Sequence, residues 1–483
     1  MITGSAAFDA IVIGAGFAGL SAASRLADAG ARVLVLEVRP RLGGRATGFL
    51  DRASGELVDN GQHVLFGCYC ETFAFLRRVG AAENVRLSPA MAVPFLDEDG
   101  ARSELRCPPL PAPYHLLAGV LEWDVLPLAA RLSAMRLARP IRLAQRLALA
   151  REARSAERSV SSWGWGPTSM EKGGPALQTL AVASPGETVA TWLKLNGQGT
   201  AICEWLWYPL AIAALNQSPE EAAAPPFVEV LARLFGSDPC DAAIGLPTTH
   251  LHLMYAEPAR TFIEARRGAV RTGAPATVTL DGARVREVEV GHERFLAPVV
   301  ISTVPWFALA SLIVRAAPLP AEMEQTIEQA TRTVSLPIVT VNLWYDRAVM
   351  DEPFVGLKGG STHWIFDRRA ALGSATSHLS LVTSGAKDLV GLTSEALVER
   401  AAAQMARVLP RAARARLVRG AVIREKRATF SLAPGQPPRP GVCTPVAGFF
   451  LAGDWIDTRL PGTIESAVVS GHRAAEFALG TRT

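Results

Sequence analysis

Three glycines, Gly14, Gly16 and Gly19, stand in the spacing G-x-G-x-x-G, and a carboxylate, Glu37, follows 18 residues after the last of them. Glycines so spaced allow a tight turn, let main chain approach a pyrophosphate, and let a helix lie close on a strand. A helix opening through Phe17 and Ala18 offers free N–H groups and its positive dipole end to phosphate. Glu37 can accept both hydroxyls of a ribose, with Val38 and Arg39 beside it. A second glycine loop follows at once, Glu37-Val38-Arg39-Pro-Arg-Leu-Gly43-Gly44-Arg45. Its paired glycines again let main chain pass near a cofactor, and Arg45 can meet pyrophosphate charge. A plain nicotinamide-binding unit does not need this second loop.

The elements that must position these residues are legible. Phe8–Gly14 (FDAIVIG) is a short β-branched run that suits a buried parallel strand. A helical pattern of small and apolar residues follows and ends at Gly30, a C-cap glycine. Ala31–Glu37 predicts a second buried strand, closing a βαβ unit. Further on, Arg267–Gly273, Pro275–Leu280 and Val285–Val290 read as strand and hairpin, and Pro298–Thr303 as another strand. Near the far end, the strand Phe449–Ala452 runs into Gly453-Asp454, a loop, and a helix that Glu465 opens.

The E-x-R-x-x-x-G-G-R loop and the distant G-D element together resemble the fingerprints of the FAD-dependent amine oxidase and phytoene desaturase superfamily. The resemblance implies a non-covalently held FAD. It assigns Asp454 to the ribityl or pyrophosphate region, and the turn at Thr463, Ile464 and Glu465 to the flavin pyrimidine, where reduced flavin carries negative charge. It also places Ala276 against adenine. The implied fold class is α/β: a discontinuous Rossmann-like FAD-binding domain (1–85, 260–310 and 415–483) plus an α+β substrate-binding domain (86–259 and 311–414).

Within the superfamily, Val58–Gly67 (VDNGQHVLFG) with Cys68-Tyr69-Cys70 resembles the bacterial hydroxysqualene dehydroxylases, also described as squalene-associated FAD-dependent desaturases. Further matches are Trp205–Asn216, Lys426–Phe430 with Arg439-Pro440, and Leu460-Pro461. This branch implies a long isoprenoid substrate and reductive dehydroxylation by hydride from reduced FAD. Gly61, Gln62 and His63 then lie by the flavin. His63 and Asp59 become candidates for the general acid that protonates a leaving hydroxyl, and Arg439 a candidate to hold a carbonyl or water there. Trp205, Tyr208, Leu210 and His363 are the substrate candidates. A histidine that only hydrogen-bonds main chain and an aspartate that only caps a turn are the bland alternatives. Lys426 departs from the local pattern of the flavin-facing lysine of some amine oxidases.

Composition sets the outer limits. The 483 residues are 49% hydrophobic and 19% charged, which excludes a disordered or collagen-like chain. Net charge is +4, too mild for a nucleic-acid partner. Mean hydropathy is +0.20, high for a soluble protein of this size, which points to unusual apolar surface, a deep apolar cavity, or both. Six cysteines are too few for a disulfide scaffold, and neither they nor the scattered histidines form a metal motif. No secretory or transmembrane segment is read, so the expected place is the bacterial cytoplasm, peripherally on the inner membrane face. The membrane expectation rests on the helical part around 119–158. Arg131 to Arg158 contains eight Arg and two Glu, and Leu132–Ala150 shows an apolar stripe at Ala134, Leu137, Ile141, Ala144 and Ala148, with Arg139, Arg142 and Arg146 opposite. Pro140 predicts a kink. Oligomeric state is left open. The rival functions are a carotenoid desaturase, a flavin amine oxidase, and a non-catalytic prenyl-binding protein, which would show degraded flavin motifs.

Overall fold

The computed structural model describes residues 8–52, 55–111, 114–161, 182–373 and 377–480, with only the backbone described for 151–161 and 370–371. Two sheets organise it. The first is five-stranded and wholly parallel, in the order Ala269–Arg271, Val33–Leu36, Ala10–Ile13, Val299–Ser302, Phe449–Leu451. The three central strands are buried along their whole length, as continuous Val/Ile/Leu runs require when helices cover both faces. The helices Phe17–Asp28 and Ile464–Gly480 pack on each other against this sheet. Gly471 allows the contact, since a Cβ there would lie 2.3 Å from the Ala18 carbonyl oxygen. Three pieces of chain, more than 140 residues from one to the next, thus share one sheet.

The expected hairpin forms at Ala276–Asp281 and Arg284–Val290, in a separate four-stranded sheet. A second large sheet has seven strands, in the order Leu417–Phe430, Ser335–Tyr345, Ser377–Ser384, Trp364–Asp367, Phe354–Leu357, Ala92–Leu96, Arg102–Arg106. Residues 417–430, grouped by sequence with the FAD-binding segments, are therefore the edge strand of this second sheet, hydrogen-bonded to 335–345. The period-two alternation divides its side chains. Val339, Val341, Leu343, Leu379 and Leu381 pack beneath the helix Ser394–Val408. Phe95, Phe354, Trp364, Phe366 and Val382 join the main core shared with the parallel sheet.

Helical segments cover that second face. Leu128–Ser133, a 3₁₀ turn at Ala134–Leu137 and the helix Ala138–Ser161 form one continuous run. Ala134, Leu137, Ile141, Ala144 and Leu147 are buried against Ala224–Leu234 and its surroundings, while Arg139, Arg142 and Arg146 are exposed. Pro140 sits inside the helix, and the irregularity falls in the 3₁₀ turn just before it. There a proline ring would otherwise strike the carbonyl four residues back. The side chains of Arg151, Arg154 and Arg158 lie outside the described residues. Among the described residues no helix is long and apolar enough to cross a membrane.

Candidate functional site

The strand–helix turn is built as the glycine spacing demands. Gly14 has φ +109°, and a Cβ on it would fall 2.5 Å from Thr303 Oγ1. At Gly19 a Cβ would lie 1.9 Å from the Gly14 carbonyl oxygen, so only glycine lets the helix sit this close. The helix Phe17–Asp28 begins at Gly16 with no side-chain cap, leaving its first N–H groups for a ligand. Glu37 is buried, and its two oxygens accept from the N–H groups of Ala15 (2.8 Å) and Arg39 (2.9 Å). Each oxygen retains a further lone pair. Val38 is exposed beside it. The Gly273 and Ala274 N–H groups donate to the carbonyls of Arg39 and Glu37, so the approach to Ala276 runs along the Glu37 segment.

The second glycine loop closes over the first. The Gly43 N–H donates to the Ala15 carbonyl, and Gly44 has φ +57° with its Cβ position 3.2 Å from Gly16 Cα. Tyr255, 212 residues away, stacks on Phe17 at 3.6 Å and donates its hydroxyl to the Gly43 and Ala46 carbonyls. No local signal marked Tyr255; only the fold brings it there. Arg45 lies in the interior, yet 29% of its side-chain surface is accessible, which marks the wall of an internal hollow. It donates to Asp454 (2.5 Å) and to the Ala428 carbonyl (2.6 Å). Asn60 donates to the Arg45 carbonyl and to Glu425. The first loop, the second loop and the Gly453-Asp454 turn therefore meet at one place, as a single extended cofactor requires. Uncapped helix N–H groups, paired glycines and an interior cation fit a flavin dinucleotide, with Glu37, Arg45 and Asp454 the side chains that would hold it.

The C-terminal helix contributes differently from its sequence expectation. Thr463 caps the helix, its hydroxyl accepting from the Ser466 N–H, and it bonds the buried Tyr69 hydroxyl. Ile464 follows at the first helical position. The Glu465 side chain is engaged with another helix. Its carboxylate accepts from the Glu71 and Thr72 N–H groups and the Thr72 hydroxyl, at the start of the helix Cys70–Arg78. Free N–H groups and a positive dipole end draw the carboxylate there, while burial pushes its pKa up.

The D-N-G-Q-H segment lies along the hollow. Gly61 has φ +81° and its Cβ position is 3.5 Å from Thr340 Oγ1 of the second sheet. Asp59 is buried and ion-paired with Arg368, which also donates to the Gln62 amide oxygen. The Leu251 N–H (3.0 Å) and His250 Nδ1 (3.4 Å) complete its contacts. Burial pushes the Asp59 carboxyl up, but His250, Arg368 and the Leu251 N–H together hold it below the usual carboxylate range. His63 is driven down to about 4 by burial and by Arg45, against the pull of Asp59. At neutral pH it is a neutral imidazole. Neither group stands ready as a protonated acid.

Arg439 donates to the Ile456 and Leu460 carbonyls and reaches Asp457, so its donors clamp the loop after Asp454. Lys426 is exposed. Trp205 sits in a π-helical turn, Cys203–Trp207, of the kind often found at functional sites. Its ring packs edge-on against Phe95 and Trp123, and Phe95 also meets Trp364, the neighbour of His363. Tyr208 and Leu210 are half-buried against the same core. His363 is held near pKa 4 by burial and accepts from the Ser384 N–H at 3.1 Å. Among the described residues no cluster of three or more His, Cys, Asp or Glu is placed to hold a metal ion.

Comparison with known proteins follows the same lines. Relatives over nearly full length are the hydroxysqualene dehydroxylase of Zymomonas mobilis (27% identical over 476 residues, covering 97% of this chain and 98% of that protein) and that of Rhodopseudomonas palustris (28% over 477 residues, 97% of each). The 15-cis-phytoene desaturase of Synechococcus elongatus is 24% identical, covering 96% of this chain and 94% of that one. Cyclohexylamine oxidase from Brevibacterium oxydans has the same fold, with a TM-score of 0.68 at 17% identity, covering 99% and 100% of the two chains. The profile of the flavin containing amine oxidoreductases matches residues 17–176 and 196–479. With the two glycine loops, Glu37, Arg45 and Asp454 converging on one hollow, the chain belongs to this family and is an FAD-dependent oxidoreductase.

Proposed function

We propose that the protein acts on a long isoprenoid and that its reaction is the reductive dehydroxylation of hydroxysqualene to squalene. One observation carries this reading. On the core-facing side of the seven-stranded sheet, Phe95, Phe354, Trp364, Phe366 and Val382 form an apolar and aromatic part, while Thr340, Asn342, His378 and Ser380 on the same face form a polar part that lies near Asp59 and Arg368. A hydrocarbon with a single hydroxyl matches such a gradient. Burial of its methylenes contributes about 0.8 kcal/mol each. The full-length likeness to proteins named hydroxysqualene dehydroxylase points the same way.

The reaction breaks one C–O bond and forms one C–H bond, consuming two electrons and two protons and releasing water. Bound FAD in its reduced form supplies the hydride. The residues of this chain bind and orient. Gly16 and Gly44 would let main chain approach the pyrophosphate, Arg45 would meet its charge, Asp454 would bind the ribityl or pyrophosphate region, and the aromatic side chains would exclude water. Neutral His63 offers an N–H hydrogen bond to the departing hydroxyl rather than a full acid. Asp59, held ionised, offers no proton.

The wider surface supports a peripheral membrane position. Leu128, Leu132 and Met135 are exposed next to Arg136, Arg139 and Arg142, a combination suited to anionic lipid. A second reading, a phytoene-type desaturase, is favoured by the likeness to 15-cis-phytoene desaturases. Anaerobic incubation of reduced holoenzyme with hydroxysqualene, with oxidised enzyme and phytoene or amines in parallel, separates these. Squalene formation supports the proposal; turnover of phytoene or an amine alone overturns it.

A further inference from the structure

We propose that Arg368 is a positioning residue for the flavin-side segment 59–63: reaching across from the second sheet, it bridges the Asp59 carboxylate and the Gln62 amide oxygen and so sets the placement of Gln62 and His63 on the wall of the hollow.

The residue begins the short helix Arg368–Leu372, directly after the strand Trp364–Asp367. Its backbone is anchored twice. The Asp367 N–H donates to the Pro353 carbonyl, and the Asp367 carboxylate caps the helix by accepting from the Arg369 N–H at 2.8 Å. From this fixed base the guanidinium spans to the segment that ends the short strand Leu57–Asp59 and follows it. One terminal nitrogen bonds Asp59 and the other bonds Gln62. The planar fork of arginine suits two acceptors held at a fixed angle, which an ammonium cannot match. The pair is dry: the side chains are 5% and 1% exposed.

A buried ion pair is a poor way to gain stability, because desolvation offsets the Coulomb attraction. An apolar pair of the same volume would serve the fold as well. What this pair provides is geometry. Asp59 gathers three segments, since it also accepts from the Leu251 N–H and meets His250, and since Gly48 beside it has no room for a Cβ (2.8 Å from Asp59 Oδ1, 2.9 Å from His252 Nδ1). Gln62 is different. Arg368 is its contact from the second sheet, and it is the immediate neighbour of His63. With Arg368 gone, the Gln62 amide is free to turn, although Asn60 still meets Glu425 and Gly61 still lies against Thr340 of the second sheet.

The inference deepens the proposed reaction but is tested partly without it. Purified holoenzymes with Arg368→Lys, Arg368→Gln and Arg368→Gln/Asp59→Asn are compared with the unaltered protein in Tm, FAD content, visible spectrum of the bound flavin, and kcat and KM for hydroxysqualene. Lysine keeps a cation for Asp59, so R368K retains Tm and FAD content. It cannot hold both partners, so kcat falls about tenfold or more while KM changes less than about twofold. The double variant removes the unpaired charge and recovers the Tm lost by R368Q, but not its kcat. All three show an altered flavin spectrum. Unaltered kcat and spectrum in R368K, or recovery of both in the double variant, overturns the proposal and leaves only a structural ion pair. If no form turns over hydroxysqualene, the substrate reading fails, and the spectra alone decide the role of Arg368.

Discussion

Replacing Gly16 by alanine separates what the fold needs from what the cofactor needs. Gly16 has φ −87° and ψ −172°, backbone open to any residue. Among the described residues, the only atom within 4 Å of its Cβ position is Gly44 Cα at 3.8 Å, an ordinary contact. The protein alone therefore has no objection to alanine there, and reduced freedom of the unfolded chain favours it by about 0.4–1 kcal/mol. The methyl would, however, stand between the two glycine loops, where phosphate must approach main chain. Losing one charge-assisted hydrogen bond is worth about 1.5–3 kcal/mol, or roughly a 10- to 150-fold rise in Kd. Gly19→Ala is the contrast: its Cβ would meet the Gly14 carbonyl oxygen at 1.9 Å, and the helix must leave the strand. The assay is calorimetry of the flavin-free proteins together with FAD titration by flavin fluorescence. Gly16→Ala should keep its apo Tm and lose FAD affinity; Gly19→Ala should lose both. An apo Tm lowered by more than about 3 °C in Gly16→Ala, or FAD binding within about twofold of the unaltered protein, refutes the reasoning.

Other outcomes follow from the same geometry. Asp59→Ala strands Arg368 in a dry site and should cost about 3–5 kcal/mol of stability, read by urea unfolding. Tyr255→Phe keeps the stack on Phe17 but removes the hydroxyl bonds to the Gly43 and Ala46 carbonyls; a loss of about 1 kcal/mol with weakened FAD binding is expected from paired melts and titrations. His63 and His363 are held near pKa 4 and His378 near 3, against 6.5 for the unperturbed group. The unfolded chain thus binds more protons between about pH 3 and 6.5, so stability rises with pH through that window and falls on acidification. Melts at pH 7 and 5 should show the loss, and His378→Asn should flatten it; a pH-independent Tm would contradict the burial. Arg139→Glu/Arg142→Glu/Arg146→Glu should abolish co-flotation with anionic liposomes while leaving Tm within a few degrees; unchanged flotation removes the membrane assignment for this face.

The amino-acid sequence by itself determined the nucleotide-binding half of the site. Glycine spacing and β-branched runs are local requirements, so the turn at Gly14, Gly16 and Gly19, the strand ending at Glu37 and the loop Gly43–Arg45 could be read as local structure, and the strands and the C-terminal helix fell within a few residues of expectation. Tertiary structure alone decided the rest. Arg368, Tyr255 and Glu425 reach the hollow from 200 to 365 residues away, and nothing in their neighbourhoods marks them. Glu465 opens the C-terminal helix, and only the fold shows that its carboxylate goes to the uncapped N-terminus of Cys70–Arg78. His63 looked like an acid by residue type, but burial, with a smaller push from Arg45, lowers its pKa to about 4 and keeps it a neutral imidazole well into the acid range. Spacing along the chain governs local backbone shape, but the charge state and reach of a side chain depend on what the fold packs around it.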